Sequence, residues 1–184
     1  MTSLEAAVVE VASVLESLPL PYMLIGGLAV SLWGEPRATL DVDVTIWVEP
    51  QHFEQIATDL CGRFRPALPD PVALARRTRV LPVQTSQGVR VDIIFAALSA
   101  EKQAIDRAQL KQIAGKSIMV AAVEDLILMK LISERQKDLD DARRLLRRYR
   151  RELDRTYLKP RLAELAEALH RPEILKIFED EQDL

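Results

Sequence analysis

The chain has 184 residues, 48% of them apolar, and a formal charge of −3 from 25 basic and 28 acidic side chains. That is too apolar for a disordered chain and long enough to bury a sizeable core, as one domain or as a core with a small helical appendage. The single cysteine, Cys61, excludes an internal disulfide, and no stretch has the form of a signal peptide or the length of a membrane span, so a soluble cytoplasmic protein without a membrane partner is expected.

Residues 4–17, LEAAVVEVASVLES, repeat apolar side chains at helical spacing and stop before Pro19 and Pro21. YMLI (22–25) reads as a short buried strand, Gly26 and Gly27 turn the chain, and LAVSLW is a short helix closed by Gly34 and Pro36. Residues 41–48 form a second strand, HFEQIATDLCGRF an amphipathic helix, and RPALPDP a loop. TRVLPVQT and VRVDIIFA, separated by SQG, predict an antiparallel hairpin turning near Gly88. A helix around 100–112 and a strand near SIMVAA follow; from Val123 the pattern is helical, with breaks near Pro160 and Pro172. The expected class is α+β: a small mixed β-sheet flanked by helices, with a helical C-terminal third.

Two aspartates interrupt the second strand. Strand alternation puts Asp41, Asp43, Thr45 and Trp47 on one face and Val42, Val44, Ile46 and Val48 on the other. The two carboxylates therefore point the same way, roughly 6.5 Å apart along the backbone. Such a pair repels and loses hydration unless a cation or strong donors compensate; the plainer alternative is a solvated strand edge or a helix N-cap. Asp92 repeats the anomaly, opposite the apolar face of Val89, Val91, Ile93 and Phe95. Three carboxylates on neighbouring strands suit a pair of Mg²⁺ ions about 3.5 to 4 Å apart, the arrangement used for in-line displacement at phosphorus. The Gly26-Gly27 turn between a strand and a helix suits an anion at backbone N–H groups, although a Gly pair alone is more often a tight turn. It lacks the dinucleotide G-x-G-x-x-G spacing, and Gly115-Lys116-Ser117 is no P-loop, because Leu110 stands where the earlier glycine belongs and a strand follows. His52, His170 and Cys61 have no metal-ligand spacing.

Further along, Lys130, Glu134, Lys137 and Asp141 fall on one face of a continuous predicted helix. That face is either a salt-bridged solvent surface or, beside the carboxylates, a source of ammonium groups for β- and γ-phosphates. Charge is also uneven: residues 135–161 hold eleven Lys/Arg against five Asp/Glu, a local +6 that leaves −9 elsewhere.

The series Gly26-Gly27, Arg37-x-Thr39-x-Asp41-x-Asp43 and Asp92 resembles the minimal nucleotidyltransferases of the DNA polymerase β superfamily. EDLILMKL (124–131) and RQKDLDD (135–141) are similar to the third and fourth motifs of AbiEii-like toxins in the MNT-type group, the fourth being R-x-K-D-x-x-D on Arg135, Lys137, Asp138 and Asp141. The likeness spans residues 22 to about 146. It implies a polymerase β-like fold, with residues 1–122 as catalytic core and 123–184 as a helical region packed on it as one unit. It also implies transfer of a nucleoside monophosphate from an NTP to a hydroxyl, releasing pyrophosphate. Asp41, Asp43 and Asp92 would hold two Mg²⁺ ions, and Asp92 would also take the nucleophile's proton. Gly26 and Gly27 would seat the phosphates, Lys130 and Lys137 would neutralise them, and Arg37 and Thr39 would contact the nucleotide or order the loop. Asp138 and Asp141 would orient Lys137 and Arg135 or position the acceptor. Many relatives carry Gly-Ser where this chain has Gly-Gly.

The arginines of ARRLLRRYRR (Arg143, Arg144, Arg147, Arg148, Arg150 and Arg151) suit an RNA backbone, or else pair with Asp140, Asp141, Glu152 and Asp154 on a solvated face. Three readings follow: a nucleotidyltransferase acting on tRNA or other RNA, as the toxin of a pair with an antitoxin partner; the same core acting on a small hydroxylated molecule, as antibiotic-modifying relatives do; or a non-catalytic binding module. Keeping three like charges together argues against the third.

Overall fold

Thr2 starts the first helix with a reciprocal cap: its hydroxyl accepts from the Glu5 N–H at 3.1 Å, and the Glu5 carboxylate accepts from the Thr2 N–H at 2.7 Å. Helix α1 (Ser3–Ser17) then buries Ala7, Val8, Val11, Ala12 and Leu15, the apolar face that its three-and-four spacing dictates. The computed structural model describes residues 1–34 and 39–182. The chain divides into two compact units, Met1–Ala29 with Arg37–Ala121, and Val30–Pro36 with Ala122–Leu184.

The first unit is built on a seven-stranded mixed sheet. Its elements after α1 are β1 (Tyr22–Ile25), the start of α2 (Gly26–Leu32), β2 (Asp41–Ile46), α3 (Phe53–Arg63), β3 (Arg65–Pro66), α4 (Pro71–Thr78), β4 (Val80–Gln84), β5 (Arg90–Phe95), α5 (Ser99–Asp106), β6 (Gln109–Ile113) and β7 (Lys116–Val120). The strand order is β3-β4-β5-β2-β1-β7-β6. β2 lies in the middle, antiparallel to β1 and parallel to β5. The expected hairpin forms between β4 and β5, with Gly88 at φ +79° in its turn. Buried Val42, Val44, Ile46, Leu81, Val83, Val91 and Ile93 make the apolar side of the central strands.

Three local expectations change. RPALPDP is not all loop: Asp70 caps α4 through the Ala73 N–H, and Pro71 takes the first helical turn, where a missing N–H costs nothing. The helix expected around 100–112 ends at Asp106, and Gln109–Ile113 is an edge strand that turns into β7 through Ala114 and Gly115, both at positive φ. Gly26 and Gly27 do not precede the second helix; they are its first residues.

In the second unit, α6 (Val123–Ile132), α7 (Gln136–Tyr149), α8 (Arg155–Ala168) and α9 (Glu173–Gln182) pack around Leu126, Ile127, Leu131, Leu145, Leu146, Leu158, Leu162 and Ile174. The expected break at Pro160 is absent, because α8 runs through it: Asp154 caps the helix, and Leu158, Leu162 and Ala166 bury an i, i+4, i+8 stripe that outweighs one lost backbone bond. The break falls earlier, between Tyr149 and Arg155. The expected continuous helix over 130–141 is two helices, since Ser133 is extended at φ −69°, ψ 141°. Asp138 holds that corner. Its carboxylate accepts from Lys130 Nζ at 2.6 Å, from the Ser133 hydroxyl at 2.7 Å and from Arg135 Nε at 2.6 Å, while Lys130 also reaches Asp141 at 3.3 Å. Glu124 and Asp125, at the start of α6, accept from the Asp154 N–H and the Tyr157 hydroxyl, fixing α6 to α8. No helix among the described residues is long and apolar enough to cross a membrane.

Burial alone would raise the Asp138 carboxyl, but the Lys130, Ser133 and Arg135 donors win and lower it from its ordinary 3.8 to about 2. A depressed carboxyl contributes stability that is complete above about pH 4 and is lost as pH falls through 2, here about 2 kcal/mol at 1.4 kcal/mol per unit. Asp138→Asn is therefore expected to cost about 2 to 3 kcal/mol near neutrality, since it takes from buried Lys130 the nearer of its two carboxylates and leaves Asp141 at 3.3 Å. It should also flatten the stability loss between pH 4 and 2. Urea denaturation of both proteins across that range tests this; equal stability and equal acid slopes would contradict it.

Candidate active site

Parallel pairing of β2 with β5 sets Asp43 directly opposite Asp92 and Asp41 directly opposite Arg90. Opposed residues on neighbouring strands point to the same side of a sheet, and residues two apart do as well. Asp41, Asp43, Arg90 and Asp92 therefore share one face, while Val42, Val44, Val91 and Ile93 are buried on the other. Half-buried carboxylates gather on this pleat because the strands beneath them are anchored by four apolar side chains.

Two local devices hold the aspartates. The Thr39 hydroxyl donates to Asp41 Oδ1 at 2.8 Å, which fixes that carboxylate from the residue two before it. At the end of β1, Gly26 has φ +72°, and a Cβ built there would lie 2.0 Å from Asp43 Oδ2. The backbone thus runs against the Asp43 carboxylate, at a place where only glycine leaves room and adopts the angle freely.

Arg90 is the residue that the sequence reading missed. Its Nε and Nη2 each donate to Asp92 Oδ1 at 3.2 Å, and Nη2 donates to Oδ2 at 3.0 Å. The hydrogen bond and charge of Asp92, with smaller contributions from Asp41 and Asp43, raise the guanidinium's affinity for its proton. Arg90 stands two residues before Asp92, so strand alternation alone was a signal for it.

Among the described residues no group of three or more His, Cys, Asp or Glu side chains stands close enough to hold a metal. The donor set nevertheless suits Mg²⁺: three hard carboxylates on adjacent strands, on a face that already takes a cationic side chain.

The other sequence-predicted site residues separate into distinct environments. Lys130 and Asp138 meet in the buried cluster of the second unit, at 8% and 1% side-chain exposure, whereas Lys137 is exposed on the first turn of α7. Gly27 follows Gly26 in the first turn of α2. Arg37 lies outside the described residues. Of the basic run, Arg143 pairs with Asp140 at 3.4 Å and Arg147 with Glu181 at 2.9 Å, and Arg148 stacks beside the Tyr149 ring and against Gly34. Arg147, Arg148, Arg150 and Arg151, with Glu152, line a surface hollow of about 680 Å³. A separate cavity of about 390 Å³, lined by Trp47, Phe53, Phe95 and neighbours, holds none of the predicted site residues.

Carboxylates thus lie on a central mixed-sheet face, with Gly26 and Gly27 opening the helix after the adjacent strand, and the fold is that of a nucleotidyltransferase. A family described as nucleotidyl transferase of unknown function (DUF2204) matches residues 4–179, and the chain belongs to it. The fold is similar to that of an antigenic nucleotidyltransferase-like protein from Paracoccidioides brasiliensis, with a TM-score of 0.58 and 19% identity over 96% of this chain and 92% of that one. It is also similar to the lincosamide antibiotic adenylyltransferase LnuA in its lincomycin-bound form, at 0.53 and 17% over 79% and 96%. A third likeness is to the antibiotic-resistance factor ANT(2'')-Ia, at 0.52 and 17% over 91% of each chain. A search of curated proteins finds no match.

Gly26→Ala is expected to lower stability by about 1 to 2 kcal/mol through its φ alone and, by pushing the Asp43 carboxylate aside, to reduce nucleotide turnover further. Gly88→Ala carries the same angular cost at φ +79° with nothing within 4 Å of the new Cβ. Denaturant midpoints and turnover of the two variants test the cradle; equal turnover at equal stability would contradict it.

Proposed function

We propose that the protein is a Mg²⁺-dependent enzyme that transfers a nucleoside monophosphate from an NTP to a hydroxyl of an acceptor, with release of pyrophosphate. The observation that carries this reading is the register of Asp43 with Asp92 on the face that also holds Asp41, in a chain of a nucleotidyl transferase family. Asp41, Asp43 and Asp92 would hold two ions. Bound there, Mg²⁺ would neutralise the triphosphate and stabilise the charge that develops on the attacking and leaving oxygens. The chain's own residues do the rest. Thr39 keeps the Asp41 carboxylate oriented, Gly26 keeps the Asp43 carboxylate in place, and the Gly26 and Gly27 backbone seats the phosphates. Asp92 accepts the proton of the acceptor hydroxyl as its oxygen bonds to the α-phosphorus and the α–β bridging bond breaks. Arg37 assists at the nucleotide, while Lys130 and Asp138 act by holding the α6–α7 corner.

RNA, tRNA foremost, is the proposed acceptor. The hollow lined by Arg147, Arg148, Arg150 and Arg151 supports it, because guanidinium groups match phosphate oxygens in pairs. In this reading the chain is an AbiEii-like, MNT-type toxin with a cognate antitoxin. A small hydroxylated acceptor is the second reading, favoured by the likeness in fold to a lincosamide adenylyltransferase over 96% of that protein.

Incubation with each α-labelled NTP, Mg²⁺, and either total RNA or lincomycin tests both. Label is expected on RNA and is expected to fall at least about a hundredfold in Asp43→Ala, the scale of losing one preorganised electrostatic group. Label on lincomycin alone would move the acceptor to the second reading. No transfer to either with any divalent cation would overturn the proposal.

A further inference from the structure

Arg90 takes no part in that chemistry, yet it binds both oxygens of one carboxylate of the face. It lies opposite Asp41 in the β2–β5 register and folds its side chain along its own strand to bond both oxygens of Asp92, at 3.0 to 3.2 Å. Its side chain is 62% exposed and that of Asp92 is 18% exposed. The guanidinium is thus held from the solvent side, by a carboxylate that is itself largely covered.

We propose that Arg90 is a resident counter-ion of the carboxylate face, holding Asp92 until a divalent cation displaces it. The inference rests on the nucleotidyl-transfer reading and adds a regulation to it. Three carboxylates at one pleat repel, and a guanidinium on Asp92 relieves that repulsion while the face holds no metal. An exposed pair of this kind shifts an equilibrium by no more than about fivefold, so it is weak enough to be exchanged. A bare divalent ion must displace Arg90 from Asp92 and release its side chain, already 62% exposed, to solvent. An NTP-bound ion brings phosphate oxygens that accept the same fork of donors. Arg90 therefore favours entry of the metal together with the nucleotide over entry of the bare ion, by up to about fivefold.

Titration of the full chain with Mn²⁺ alone, followed by electron paramagnetic resonance, tests this without turnover. Arg90→Met and Arg90→Gln, which remove the charge at an exposed position, are expected to bind Mn²⁺ about three- to fivefold more tightly than the wild type. Arg90→Lys is expected to stay near it, and Asp92→Asn to abolish the gain when combined with Arg90→Met; unfolding midpoints confirm that each variant is folded. Asp92-dependent binding that is unchanged or weaker in both neutral variants would overturn the role of Arg90 and leave the metal face standing. Mn²⁺ binding that ignores Asp92 in every protein would overturn the metal face itself, and Arg90's role with it.

Discussion

Parallel pairing of β2 with β5, in the register that sets Asp43 beside Asp92, forces like charges to share one pleat of a central strand pair. The apolar side fixes that register. A slip of one residue would carry Val42, Val44, Val91 and Ile93 out of the core and bury the aspartates instead. Hydrophobic packing therefore does the electrostatic positioning. Gly26 and Thr39 add only local control, one giving the Asp43 carboxylate room and the other orienting the Asp41 carboxylate.

The molecule carries two clusters in which acidic and basic side chains meet, and they behave differently. Lys130, Asp138 and Asp141 are buried and paired at 2.6 and 3.3 Å, with Ser133 and Arg135 completing the set, so removing one member weakens the compensation of buried charge in the others. That cluster is architecture: it closes the corner between α6 and α7. The Asp41, Asp43, Asp92 and Arg90 face is partly open, and its ion pair is of the kind that solvent and ions exchange readily. Chemistry that must admit and release a charged nucleotide belongs on the second kind of site.

Legibility in the sequence followed the strength of the local signal. The three aspartates stood out because period-two alternation makes a charge inside an apolar strand visible, and the fold class followed from the strand and helix patterns around them. The pairing of Asp43 with Asp92 is a non-local fact that no spacing encodes. Lys130 and Lys137 seemed to share a helix face because neither Gly nor Pro marks the corner at Ser133; a side-chain network makes that corner instead. Proline misled in both directions, as Pro71 begins a helix and Pro160 sits inside one. The edge strand Gln109–Ile113 buries one residue, Ile113, so it shows no alternation to read. Arg90 was hidden by its type, since a basic residue at a strand start is usually solvated.

The central claim is that Asp43 and Asp92 form one site by virtue of their register. A double-mutant cycle on Mn²⁺-NTP affinity, using Asp43→Asn, Asp92→Asn and the pair, measures this directly. The account predicts strong coupling, with the double variant binding hardly worse than either single one. Losses that simply add would show two independent carboxylates and contradict it.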